Sequence, residues 1–208
     1  MNFYYPIFGL FLIFIAWFTY ERNKASKLEK RKEDDFWKRE NEANGVRRVP
    51  LDSLEYVKVP DAILLSGLSA KDTDDKILLK CNEELIELQN KRIFNLTGKT
   101  VTDIKMNFGP ANITALDEYD TNYTELVKLI HMYGTRLNDL NYTDDAIKVL
   151  EFGIDILTDI SGNYKLLADL YIKKNQTGKL DYLLEVANKL DSLNKNSIIG
   201  YINALKKH

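Results

Sequence analysis

The chain has 208 residues, 45% of them hydrophobic, and a formal charge of −2, which is enough for one folded domain with short appendages. Residues 51–208 hold 19 Lys/Arg against 24 Asp/Glu. That acidic balance lacks the basic face that phosphate contacts require, so nucleic acid is excluded as a partner. The lone cysteine, Cys81, excludes an intramolecular disulfide and fits a reducing compartment.

In chain order, residues 1–20 come first and contain no charged side chain. Ile7 to Phe18 is almost wholly apolar, with Tyr4, Tyr5, Trp17 and Tyr20 towards the two ends, where amphipathic rings favour a headgroup zone. The stretch predicts a transmembrane anchor contacting membrane lipid. A cleaved signal peptide is the competing reading, but a basic start and a small-residue cleavage pattern are missing. Arg22, Lys24, Lys27, Lys30, Arg31 and Lys32 follow. The positive-inside tendency then predicts a single-pass protein of the cell membrane with a cytoplasmic domain. The same cations form a candidate lipid-facing cluster, or simply a stop-transfer flank. Five Asn-x-Thr triplets, at Asn95, Asn112, Asn122, Asn141 and Asn175, pull towards the opposite orientation, because in a secretory lumen they are glycosylation acceptors.

Residues 21–45 read as a charged juxtamembrane helix or stalk whose bulky apolar feature is Phe36–Trp37. Residues 46–72, with Pro50 and Pro60, read as a linker that could wrap the domain. From there residues 73–208 read as an α-helical domain. A helix is predicted from Thr73–Asp75 to about Asn95 on the stripe Leu78, Cys81, Leu85 and Leu88. Leu96 to Asp120 reads as irregular, punctuated by Gly98, Gly109 and Pro110. Five helices follow: Asn122–Leu140, Asp144–Asp159 with Thr143 as its cap, Gly162–Lys174, Lys179–Asp191 and Lys195–Lys207.

This last region carries a register of 34 residues. It aligns Ile130 with Tyr164 and Ile198, Tyr133 with Leu167 and Tyr201, Gly134 with Ala168, Leu150 with Leu184, and Gly153 with Ala187. A fixed period of that length means stacked helical hairpins, with small residues where paired helices approach closely. The pattern Tyr164, Leu167, Ala168, Tyr171, followed by Leu180, Leu184 and Ala187, resembles the tetratricopeptide repeat. The repeats would span 127–160 and 161–194, with a half repeat at 195–208. The family's usual proline is replaced by Thr158 and Ser192, and a generic antiparallel bundle is the competing fold. The layout also resembles small bacterial membrane proteins of undescribed function that join one anchor to one repeat-type domain.

The fold class expected is therefore all-α: an N-terminal transmembrane helix followed by tetratricopeptide-like hairpins. The resemblance implies a groove lined by the first helix of each hairpin, which here gives Lys128, His131, Thr135, Asn138, Lys165, Asp169, Ile172 and Asn203 as partner-binding candidates. His131, Thr135 and Leu166 stand where a carboxylate clamp would need Lys and Asn, so a clamp is not implied. The chemical motifs point to no enzyme. Gly98-Lys99-Thr100 lacks the first glycine of a phosphate loop, His131 has no second ligand for a metal, and neither acidic cluster has a calcium-loop pattern. Neither a cofactor nor a metal is expected. The function expected is that of a membrane-tethered adaptor for a protein or peptide. A self-assembling structural protein, a homo-oligomer, and an enzyme with a site near residues 107–120 are the alternatives.

Overall fold

A computed structural model describes residues 4–207, and all regular structure in them is helical. Eight α-helices occur among the described residues: α1 Tyr4–Asn44, α2 Lys76–Gln89, α3 Val101–Phe108, α4 Ile113–Asp139, α5 Thr143–Asp155, α6 Ser161–Lys173, α7 Lys179–Lys189 and α8 Lys195–Leu205. They divide into two compact units, Met1–Pro50 with Thr100–Ile113, and Leu51–Lys99 with Thr114–His208.

The expected membrane span is corrected by this structure. Its first three residues lie outside the described ones. The uncharged part of α1, from Tyr4 to Tyr20, measures roughly 25 Å at 1.5 Å per residue, short of a ~30 Å hydrocarbon layer. The helix then runs on without a break into the charged stretch from Glu21. No helix among the described residues is long and apolar enough to cross a membrane. This overturns the N-terminal transmembrane helix, the single-pass placement in a cell membrane, and the cytoplasmic orientation that depended on it.

In the first unit, α1 meets α3 mainly through polar groups. Glu40 accepts from Thr102 Oγ1 at 2.8 Å and pairs with Lys105, while Arg39 pairs with Asp103 at 2.5 Å. Ala43 is the one fully buried apolar side chain that α1 contributes among its described residues. Asn112, fully buried, donates to the carbonyls of Val49 and Phe108, both at 2.7 Å. Helix α3 falls in a stretch read as irregular from its glycines. It is nucleated by a capping box in which Thr100 and Asp103 satisfy each other's backbone amides.

In the second unit, α2 starts where Asp75 caps it, accepting from the amides of Ile77 and Leu78. It ends at Gln89, six residues before the predicted end. Lys91–Phe94 instead runs past other chain segments: Val57 N donates to Ile93 O at 2.9 Å and Phe94 N to Tyr119 O at 3.2 Å. The segment before α2 is embedded. Val59, Ile63, Leu64, Leu65, Leu68 and Ala70 are buried, Leu65 N donates to Asn82 Oδ1, and Ala70 N donates to the buried Asp145 of α5. These backbone donors find side-chain acceptors because they belong to no regular ladder.

The 34-residue register of the sequence has a counterpart in the backbone. Asn141 and Asn175, 34 positions apart, both adopt left-handed conformations, with φ of 66° and 56°. At the first, Tyr142 N donates to Leu137 O at 2.9 Å, and at the second, Gln176 N donates to Tyr171 O at 2.7 Å. The same C-terminal cap thus ends α4 and α6, and asparagine tolerates its φ better than other side chains with a Cβ. The first turn leads into α5 at Thr143, which is the first helical residue rather than the cap; Tyr142 occupies the cap position without a side-chain bond. Inside the hairpins Ile130, Tyr133, Leu137, Tyr164, Leu167 and Ala168 are fully buried or nearly so. Gly134 lets α5 approach so closely that a Cβ there would lie 2.7 Å from Leu150 Cδ2.

All five Asn-x-Thr triplets have folding roles at their asparagine. Asn95 Oδ1 accepts from Thr97 N at 2.8 Å, Asn122 donates to Arg92 O at 2.9 Å, Asn112 holds the two carbonyls above, and Asn141 and Asn175 supply the left-handed turns.

Candidate functional site

The candidate surface is the face that α4, α6 and α8 present away from α5 and α7. On α4, Lys128 is exposed, His131, Thr135 and Asn138 are half-buried, and all four recur at helical spacing. The His131 ring lies over the start of α6, where a Cβ on Gly162 would come 2.7 Å from its Cε1 and Nε2. Burial pushes the His131 imidazole below its ordinary pKa, which favours the uncharged ring. Thr135 Oγ1 donates to the His131 carbonyl at 2.8 Å. His131 Nδ1 and Asn138 Oδ1 are enclosed without a hydrogen-bond partner among the described residues.

On α6 the expected residues Lys165 and Asp169 come together through a residue of α8 that was expected only as packing. Tyr201 OH donates to Asp169 at 2.8 Å and 3.0 Å to its two oxygens, and Lys165 Nζ sits 5.5 Å from the Tyr201 ring centroid. The hydrogen bond to Asp169, with burial and the carboxylate charge, raises the Tyr201 pKa. The phenol therefore remains a donor at neutral pH. Tyr201 occupies the register position of Tyr133 and Leu167, both fully buried, yet is itself half-exposed. Its register position marked it only as a packing residue. Ile172 and Asn203 are exposed. Among the described residues, the Asn203 and Lys128 side chains form neither an ion pair nor a hydrogen bond.

The remaining candidates lie elsewhere. Arg22, Lys24, Lys27, Lys30, Arg31 and Lys32 are exposed along α1, where Lys24, Lys27 and Arg31 line a shallow depression with Tyr20 and Leu28. A cleft of about 300 Å³ in the second unit is lined by Asn95, Thr97, Lys99, Leu157, Lys189, Leu190 and Asp191. Its wall is fixed by the buried Tyr123, whose hydroxyl donates to the carbonyls of Ile156 at 3.1 Å and of Leu157, itself in a left-handed conformation, at 3.0 Å. Thr100, expected to be no part of a phosphate loop, has both backbone and hydroxyl taken up by Asp103, whose carboxylate would repel an anion there. Cys81 is fully buried, and burial pushes its thiol up to about 11, which makes it a poor nucleophile. No cluster of three potential metal ligands occurs among the described residues.

Compared with protein-family models, with curated proteins and with solved structures, the chain matches none.

Proposed function

We propose that the second unit is a protein-interaction module in which tetratricopeptide-like hairpins hold a protein or peptide along α4, α6 and α8. The observation that carries the reading is the shared cap at Asn141 and Asn175, because it ties the sequence period to repeated backbone geometry. Stacked hairpins of this kind leave the first helices free to form one continuous surface. That surface is mixed: the Lys165–Tyr201–Asp169 cluster offers a cation, a ring and a carboxylate, and Ile172 adds an apolar contact. Such a combination suits a peptide with both polar and aliphatic side chains better than a strongly acidic or basic one.

The test places a photoreactive residue at Ile172 or Asn203, which are exposed and outside the Tyr201 cluster, and maps the crosslinked protein. The reading expects one dominant partner that also binds the purified chain. Tyr201→Phe, which removes the hydroxyl and keeps the ring, should weaken that binding while leaving the far-UV circular dichroism unchanged. If neither position captures a saturable partner, the surface is a solvated helix face and the interaction reading fails.

A further inference from the structure

The cleft of about 300 Å³ in the second unit shares no lining residue with the face of α4, α6 and α8, and it combines apolar walls with a few polar groups, as small-molecule sites do. Three stretches meet there: residues 95–99, the turn between α5 and α6, and the end of α7. Each brings a feature that folding alone leaves unused. Lys99 and Asp191 both line the cleft, yet among the described residues neither side chain has an ion-pair or hydrogen-bond partner. The place of the acid is set by Gly98, at φ 80°, where a Cβ would lie 2.7 Å from Asp191 Oδ2. A side chain there would push the carboxylate away, so the glycine keeps it against the 95–99 turn. A second cation, Lys189, is engaged only by Glu185 at 2.8 Å, in a pair more than half exposed on both sides and therefore weak. Leu157 adds an apolar wall. It is 40% exposed and holds a left-handed φ of 62° that bulky side chains resist, fixed by the Tyr123 hydroxyl, which donates to its carbonyl at 3.0 Å.

We propose that this cleft binds a free α-amino acid with an aliphatic side chain. The ligand's carboxylate pairs with Lys99 and Lys189, its ammonium with Asp191, and its side chain lies on Leu157 and Leu190. Two opposite charges that share a cleft without meeting leave room between them for a ligand carrying both, whereas a simple anion or cation would leave one of them unanswered. The C-terminal end of α7, just before Asp191, adds the negative end of its dipole on the side of the ammonium. Size agrees with charge. At roughly 30 Å³ for each water-sized group, the volume suits about ten non-hydrogen atoms, the size of leucine rather than of a nucleotide.

The test is isothermal titration of the full chain with L-leucine, L-valine and L-alanine. At least one should bind saturably at a single site. Isocaproate, which lacks the ammonium of leucine, and isoamylamine, which lacks its carboxylate, should each bind more weakly by about tenfold or more. Lys99→Ala and Asp191→Asn should each lower affinity by about tenfold with the far-UV circular dichroism unchanged, since both residues are exposed. Lys165→Ala, on the separate interaction face, should leave the binding as it is. If Asp191→Asn loses its fold, Lys99→Ala and the two analogues still decide. Absence of saturable binding for all three amino acids overturns the proposal. So does isocaproate binding as tightly as leucine, which means a site for carboxylates alone, or undiminished affinity in Lys99→Ala.

Discussion

Adding one methyl group at Gly134 and at Gly200 should change stability in opposite directions. Both glycines are helical, so Gly→Ala removes unfolded-state freedom and gains about 0.5–1 kcal/mol at either site in the absence of steric conflict. At Gly200, in the middle of α8, the new Cβ meets nothing within 4 Å, and the whole gain should appear. At Gly134 it would lie 2.7 Å from both Cγ and Cδ2 of Leu150, which is fully buried, so the leucine must shift within the core. Overpacking of that kind costs about 1–3 kcal/mol, so the net effect at Gly134 lies between about zero and 2.5 kcal/mol of destabilisation. The two variants should thus differ by roughly 1–3 kcal/mol, which for a chain of this length is several degrees in Tm at about 2–4 °C per kcal/mol. The assay is urea or thermal unfolding followed by far-UV circular dichroism. Tryptophan fluorescence is unsuitable, because Trp17 and Trp37 both lie in α1. Adding Leu150→Val to Gly134→Ala should recover part of the loss non-additively. Equal stabilisation by both glycine changes would refute the close approach of α4 and α5 and the hairpin packing built on it.

Asp75 provides a pH prediction. Hydrogen bonds from Arg136 and from the Leu78 and Ile77 amides hold its carboxyl at about 2. A depressed folded-state pKa means that the stabilisation is present above the ordinary carboxylate value and is lost as pH falls from about 4 towards about 2. Asp75→Asn keeps a good helix cap but removes this ion pair, so it should flatten the acid limb of a stability–pH curve. An unchanged limb would mean that Arg136 does not engage Asp75 in solution. Tyr123→Phe should cost about 1–2 kcal/mol, because it withdraws the donor shared by the Ile156 and Leu157 carbonyls. Denaturant titration checks this, and a neutral result would show that the α5–α6 turn holds itself. Asn141→Ala and Asn175→Ala should each cost about 1 kcal/mol, since a non-glycine Cβ resists left-handed φ. Replacement by glycine should be neutral or stabilising in the same titration, and a clear preference for alanine would contradict the shared cap.

Helical periodicity was readable in the sequence wherever burial is one-sided. The stripe Leu78, Cys81, Leu85 and Leu88 is buried as expected, and Asp75 announced the start of α2. Element ends were harder, because they depend on distant partners. The end of α2 is set by backbone bonds to Val57 and Tyr119, which no local window contains. Helix α4 begins at Ile113, well before the predicted Asn122. Asp117, Glu118 and Asp120, acids of the kind that suit a helix start, sit inside the helix, which begins just after Gly109 and Pro110. Helix α3 was hidden by its flanking glycines, although the Thr100 and Asp103 pair that caps it was present. On the candidate face, helical spacing placed Lys165 and Asp169 on neighbouring turns. It could not reveal that Tyr201 bridges them, because a register position says which residues pack and not which of them stay half-exposed. The apolar start of α1 read as a membrane span from composition, whereas the structure shows its described part to be too short for one.

The shared cap also bears on how the length of this protein can change. Because one left-handed asparagine and one set of backbone bonds close each hairpin, a duplicated stretch of 34 residues brings its own turn, its own small-residue contacts and its own exposed first helix. Copying residues 161–194 in place should lengthen the stack by a whole hairpin and move the half-exposed Tyr201 position outward by one step. Insertions of other lengths would break the alternation of first and second helices. Growth of the body is thus quantised, and only whole hairpins preserve the surface.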